Sequence, residues 1–289
     1  MHRHGLLSTV FSTPNWSTRV TIMHNKKSGH YQYAFLDSGA GGLPYFAQLR
    51  ETVPDASCVY LADTAHFPYG QKSREEVIRY ATEATGRLIE RFNPSIVIVA
   101  CNTISVAALA ALRERFPLPF VGTVPAIKLA ARQSKNRRIG LLATELTVND
   151  PYTDNLAATF ASDCDIVKRG DSVLVSQIEN GLVTATRENR LHAITPAVEH
   201  FRKAGVDTIV LACTHFLNVT EEIQELAGPD ITVIDSRNGV VQQALRLVPP
   251  DNSLKNGSVC HTTGGLSSDV EERYRKYAAC FDICWGGVL

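Results

Sequence analysis

The sequence predicts an α/β fold with mostly parallel sheets, arranged as two similar lobes facing each other across a cleft. Three observations lead there. From Tyr31 onward, short apolar runs alternate with amphipathic stretches, the rhythm of an α/β protein. The runs are continuous instead of alternating with polar residues, as expected of parallel strands covered on both faces. Two of them are nearly the same: Val97-Ile98-Val99-Ala100-Cys101-Asn102-Thr103 and Ile209-Val210-Leu211-Ala212-Cys213-Thr214-His215. Each ends in Ala-Cys followed by hydrogen-bonding residues, and strand carboxyl ends are where open α/β sheets handle ligands. At 289 residues the chain is long enough for two domains and a sizeable core.

The elements follow in order. The apolar run Tyr31 to Leu36 forms the first strand and leads into Asp37-Ser38-Gly39-Ala40-Gly41-Gly42. The glycines of that loop let backbone N–H groups approach an anion, while Asp37 and Ser38 supply a base or hydrogen bonds. Its spacing is not the dinucleotide pattern G-x-G-x-x-G, and no acidic residue stands out at the expected strand end. Cys58 to Ala62 is the second strand; Asp63-Thr64-Ala65-His66-Phe67-Pro68-Tyr69-Gly70 after it forms a turn that presents Tyr69 and backbone amides. Helical spacing runs from Arg74 to Arg91, Ser105 to Arg115, Asn189 to Lys203 and Val240 to Leu247. The remaining strands are Ile96 to Ala100, Phe120 to Gly122, Ile139 to Ala143, Asp165 to Lys168, Thr208 to Ala212 and Ile231 to Asp235.

Bulk properties exclude several function classes. Lys plus Arg and Asp plus Glu each number 29, so there is no broad electrostatic footprint for nucleic acid or an anionic membrane. The densest basic run, Lys135-Asn136-Arg137-Arg138, reads as a solvated helix end. No apolar stretch approaches the ~20 residues of a membrane helix. The seven cysteines are odd in number, widely spread and without a Cys-x-x-Cys pair, which points to a reduced, cytoplasmic compartment. Cys280 and Cys284 would face one another on a helix; with Cys260 and His261 they make a weak metal candidate, against ordinary burial. Residues 1–30 are rich in Ser, Thr, His and Asn, lack apolar periodicity and read as a mobile leader, with Met23 an alternative start.

The paired thiols carry the chemistry. A cysteine acts as a base only as thiolate, and a helix N-terminus lowers its pKa from ~8.5. Asn102, Thr103 and Thr214 are able to cap such a helix or donate to a carboxylate, and His215 can hold or relay a proton. A single strand-end cysteine reads as a buried hydrophobe; two in matching contexts point to a functional pair.

These residues resemble a known family. Asp37-Ser38-Gly39 with Gly41-Gly42, Pro68-Tyr69-Gly70, Ala100-Cys101-Asn102-Thr103 and Ala212-Cys213-Thr214-His215 are similar, in order and spacing, to the glutamate racemases of the aspartate/glutamate racemase superfamily. The similarity runs from about Phe35 to about Ser236. It implies cofactor-independent interconversion of L- and D-glutamate, the D-enantiomer being a peptidoglycan building block. Carried over, Cys101 and Cys213 become the acid/base pair, assisted by Asp37 and His215, with Glu179 supporting the histidine. Substrate contacts fall on Asp37, Ser38, Tyr69, Gly70, Asn102, Thr103, Thr214 and His215. The implied fold is two Rossmann-like, flavodoxin-like lobes, the first from residues 31–124 plus 237–289 and the second from 125–236. A homodimer and a nucleotide-sugar cell-wall precursor as activator also follow from the resemblance.

The chain departs from the family pattern at three places. Phe216-Leu217-Asn218 replaces Tyr-Pro-Leu after the histidine, Gly122-Thr123-Val124-Pro125 lacks an acidic residue before proline, and the segment Thr144 to Asp150 lacks a glycine between its threonines. Rival readings are an aspartate racemase or related amino-acid or dicarboxylate isomerase, a two-lobed small-molecule binding protein, and a redox or metal protein built on the thiols. A binding protein has no use for duplicate reactive cysteines, and each lobe offers one thiol where redox or metal chemistry needs a close pair.

Overall fold

The computed structural model describes residues 29–254 and 256–289. Its elements in chain order are β1 (Tyr33–Asp37), α1 (Leu43–Thr52), β2 (Cys58–Ala62), α2 (Arg74–Phe92), β3 (Ile96–Val99), α3 (Asn102–Arg115), β4 (Phe120–Gly122) and α4 (Ile127–Gln133). Then come β5 (Arg138–Ala143), α5 (Glu145–Asn149), α6 (Pro151–Phe160), β6 (Asp165–Gly170), α7 (Ser172–Glu179), α8 (Arg187–Lys203), β7 (Thr208–Ala212) and α9 (Thr220–Ala227). The chain closes with β8 (Thr232–Ile234), α10 (Arg237–Leu247), β9 (Ser258–Thr262), α11 (Ser268–Cys280) and β10 (Cys284–Val288).

Two sheets form, in the orders β10-β9-β2-β1-β3-β4 and β6-β5-β7-β8, and every pairing is parallel. The fold is therefore α/β with two doubly covered parallel sheets. Continuous burial explains the runs: all five residues of β1, β2 and β7 are buried. One apolar cluster runs from Phe35, Tyr60 and Ile98 of the first sheet through Leu142 and Leu211 of the second, so the two units share a core. Separate clusters cover the outer faces, around Val97 and Leu112 in one unit and Ile139 and Val210 in the other.

Register places the site. Asp37 lies opposite Ala62, and Leu36 lies opposite both Leu61 and Val99, so Asp37, Asp63 and Cys101 emerge together at one carboxyl edge. In the second sheet Ala143 pairs Ala212, which sets Thr144 beside Cys213.

All eight expected strands are present, with ends shifted by a residue or two. Several expectations need correction. α3 begins at Asn102 rather than Ser105, because Cys101 occupies its N-cap position. Helices α1, α4 to α7, α9 and α11 are absent from the sequence reading. The strands β9 and β10 were also missed: Ser258-Val259-Cys260-His261-Thr262 carries no apolar run, and Gly286-Gly287 interrupts the other. Cys280 and Cys284 do not share a helix; one ends α11 and the other begins β10. Among the described residues no group of three or more His, Cys, Asp or Glu could hold a metal ion, so the Cys260, His261, Cys280 and Cys284 candidate is not assembled. The basic run from Lys135 lies in the turn after α4 and enters β5. Of the expected leader, residues 1–30, positions 1–28 with Met23 lie outside the described residues; Gly29 and His30 are described and exposed. No described helix is long and apolar enough to cross a membrane.

Candidate active site

The two cysteines occupy the same local geometry. Cys101 is the N-cap of α3, with φ −139° and ψ 120°; Cys213 is the N-cap of a six-residue 3-10 turn, Thr214–Val219, with φ −137° and ψ 134°. Each residue is still extended, as the end of a strand must be, while the next already turns, so each thiol sits at the first turn's free N–H groups. Both are 5 % exposed. They lie close enough for charge on Cys213 to raise the Cys101 pKa.

Their partners differ. Cys213 Sγ lies 3.8 Å from His215 Nδ1, and His215 Nε2 lies 3.0 Å from Glu179 Oε2. Burial disfavours the imidazolium, yet its hydrogen bonds to Cys213 and Glu179 outweigh that and hold the His215 pKa well above its usual value. Cys101 Sγ approaches Ser38 Oγ at 4.0 Å, and Ser38 Oγ donates to Asp37 Oδ1 at 3.1 Å. Burial, then the Asp37 carboxylate, pushes the Cys101 thiol well above its usual range, against the lowering contribution of the Ile104 N–H. The helix N-terminus expected to lower it is present and is outweighed. Asp37 is itself raised from 3.8 to about 6 by burial, with His215, Thr214, Gly39 and Ser38 opposing.

The glycine loop after β1 is shaped by the other unit. Ala40 N donates to Glu179 Oε2 at 2.9 Å, and a Cβ on Gly39 would lie 2.5 Å from that same oxygen. A Cβ on Gly41 would lie 2.6 Å from both His215 Nδ1 and Thr214 Oγ1. The anion that this loop's amide approaches is thus an internal carboxylate. Thr214 Oγ1 donates to Asp37 Oδ2 at 2.9 Å across the two units. Thr103 and Thr144 hydroxyls meet at 3.1 Å, and Gly70 packs on Thr144, where a Cβ would come within 2.7 Å.

Among the sequence-derived residues, Asn102 has a buried side-chain Nδ2 with no partner, a donor available to a ligand. Tyr69 is buried and its phenol donates to Asp63, which leaves its backbone as what this turn can offer. Asn102 and Thr103 lie in the first turn of α3 and do not cap it. Four site residues were missed. Asp63 follows β2 and also accepts from His66 Nδ1 at 2.9 Å, so an acidic residue does stand at that strand end, contrary to the sequence reading. Phe67 packs its ring 5.6 Å from His215, Thr144 bridges to Thr103, and Tyr274 reaches Glu179 from α11. Asp63 and Thr144 carried a readable signal, a polar residue directly after an apolar strand.

Comparison with known proteins gives the family. A glutamate racemase of Treponema pallidum is 44 % identical over 259 residues, covering 90 % of this chain and 97 % of that protein. One from Glaesserella parasuis is 41 % identical, covering 73 % and 79 %. The solved Escherichia coli glutamate racemase, in complex with L-glutamate and the activator UDP-MurNAc-ala, superposes with a TM-score of 0.81 at 30 % identity, covering 90 % of this chain and 98 % of that one. Residues 45–244, which span both thiols, match the Asp/Glu/hydantoin racemase family model. With matched cysteines at matched strand ends in two parallel sheets, the chain belongs to the Asp/Glu/hydantoin racemase family.

Proposed function

We propose that this chain interconverts L- and D-glutamate by proton transfer between two thiols, without an imine-forming cofactor. The observation that carries the reading is the equivalence of Cys101 and Cys213: same backbone, same burial, opposite units. Inverting a carbon centre requires a proton to leave one face and another to arrive on the opposite face. Two fixed groups flanking the substrate achieve this without turning it over.

For L-to-D conversion Cys213 is the base and Cys101 the acid, and the reverse reaction exchanges the roles. His215 lies within reach of Cys213 and stabilises its thiolate. Asp37 serves the other side through Ser38, and its pKa of about 6 lets it hold or release a proton near neutrality. The difficult step is removing an α-proton next to a carboxylate. Developing charge there is met by the unpaired Asn102 amide and the backbone of Tyr69 and Gly70, while the hydroxyls of Ser38 and Thr214 donate to Asp37 and that of Thr103 meets Thr144, which holds the site's frame in place. Burial strengthens these contacts and shields the thiolate from water.

Residues 31–124 with 237–289 then form one lobe and 125–236 the other, with the substrate between them. Glutamate is favoured over aspartate by the relatives' names. The product feeds cytoplasmic assembly of peptidoglycan, and a homodimer responsive to a nucleotide-sugar precursor is the assembly that the resemblance implies.

Circular dichroism of purified protein with L-glutamate, and separately with L-aspartate, tests the reading with no cofactor added. Decay of the glutamate signal alone is expected. Preference for aspartate, or dependence on pyridoxal phosphate, overturns it. Repeating the assay with a UDP-linked muramic acid derivative, alongside sedimentation, tests the activator and the dimer.

A further inference from the structure

Two side chains of α11 converge on Glu179 from the far end of the chain. Tyr274 donates its phenol to Glu179 Oε1 at 2.6 Å, and Tyr277 donates to the Glu179 backbone carbonyl at 2.9 Å. Three residues apart, they share one face of the helix, and both are fully buried. The Tyr274 ring is wedged between Tyr277, 5.9 Å away, and Trp285 of β10, 6.2 Å away.

The other carboxylate oxygen of Glu179 receives Ala40 N and faces His215 Nε2. The group is thus pinned from three directions: the loop after β1, the turn after β7, and α11. A phenylalanine at position 274 would fill the same space, so packing alone does not call for a phenol. Its hydroxyl supplies a donor to a buried carboxylate that would otherwise lack one there. The chain behind Cys101 runs instead through Ser38 Oγ to Asp37 and includes neither Glu179 nor Tyr274.

We propose that Tyr274 is a positioning residue for the Cys213 half of the site: through Glu179 it fixes the His215 ring against the Cys213 thiol and leaves Cys101 untouched. The proposal rests on the two-thiol reading for its catalytic meaning, and on the hydrogen-bond chain Tyr274–Glu179–His215–Cys213 for its geometry.

The test is Tyr274→Phe in the full chain, which keeps the ring and removes only the O–H. Iodoacetamide alkylation, resolved per cysteine by mass spectrometry, is expected to slow roughly threefold or more at Cys213 and stay at the wild-type rate at Cys101. Glu179→Gln should slow Cys213 as well, and adding Tyr274→Phe to it should change nothing further, because the phenol acts through that carboxylate. Equal changes at both cysteines, or none at Cys213, overturn the proposal.

Racemisation supplies a second readout. Enantiomers have equal free energies, so kcat/KM for L- and D-glutamate stays equal in every variant. Tyr274→Phe is expected to shift the ratio of the two kcat values by roughly threefold or more, with the KM ratio following. A uniform loss of kcat in both directions at unchanged KM marks a merely structural role and overturns it. If the wild-type protein fails to racemise glutamate, the racemase reading falls while the alkylation contrast still decides the role of Tyr274.

Discussion

Asp37, the last residue of β1, accepts a 2.9 Å hydrogen bond from Thr214 Oγ1, the residue after Cys213 in the other unit. The carboxylate that neighbours one thiol is thereby tied to the side chain next to the second. It is fully buried, and burial raises its pKa from 3.8 to about 6.

That shift makes stability depend on pH. The folded state holds the Asp37 proton more tightly than the unfolded chain does, so no penalty exists below about pH 4, and it accrues as pH rises towards 6. At pH 7.5 the charged form destabilises the fold by ~3 kcal/mol. Asp37→Asn should therefore gain ~1–3 kcal/mol in urea unfolding at pH 7.5 and little at pH 4, while losing racemisation. An equal gain at both pH values would show that charge is not the cause.

Cys101→Ser and Cys213→Ser should each lower racemisation by ~10³-fold or more while far-ultraviolet dichroism stays unchanged, because a serine hydroxyl is too weak an acid to replace either thiol. Full turnover by either variant would remove the two-thiol mechanism.

Gly41 is required by close approach. Gly41→Ala should cost ~1–3 kcal/mol and lower kcat by at least ~10-fold, because the added methyl meets His215 and Thr214, both buried. Gly239→Ala, in α10 with open space around its Cβ, is the control and should stabilise by up to ~1 kcal/mol. Thermal unfolding of the two variants distinguishes steric conflict from helix propensity.

Arg74 of α2 pairs with Asp150 at 2.6 Å, joining the two units near Gly70. Asp150 also caps α6 by accepting from Tyr152 N at 2.8 Å. Asp150→Ala should therefore cost ~1–2 kcal/mol, and Arg74→Ala, a half-exposed cation, under ~1 kcal/mol. Urea titrations in low and high salt check this: salt should narrow the Arg74 effect more than the Asp150 effect.

Much of this was legible in the sequence because parallel strands bury both faces and so leave continuous apolar runs, from Cys58-Val59-Tyr60-Leu61-Ala62 to Thr208-Ile209-Val210-Leu211-Ala212. The thiols were legible because they end such runs abruptly. What stayed hidden depends on distance along the chain. Tyr274 lies 95 residues from Glu179, and no local pattern marks a buried tyrosine as a donor to one carboxylate. The direction of the Cys101 pKa was also unreadable, since desolvation and Asp37 exist only once the units have closed around it.

Strand order carries one more consequence, for synthesis. β9 pairs with β2 in the register Cys58 to Ser258, and β10 then pairs with β9, so the six-stranded sheet waits on residues made after the whole four-stranded sheet. During translation the second unit can close while β2 is still an unprotected edge. α11, with the tyrosines that grip Glu179, emerges only after both thiols are in place. A nascent chain therefore carries Cys101 and Cys213 well before the helix that holds Glu179, and on the two-thiol reading the emergence of α11 is the step that completes the site.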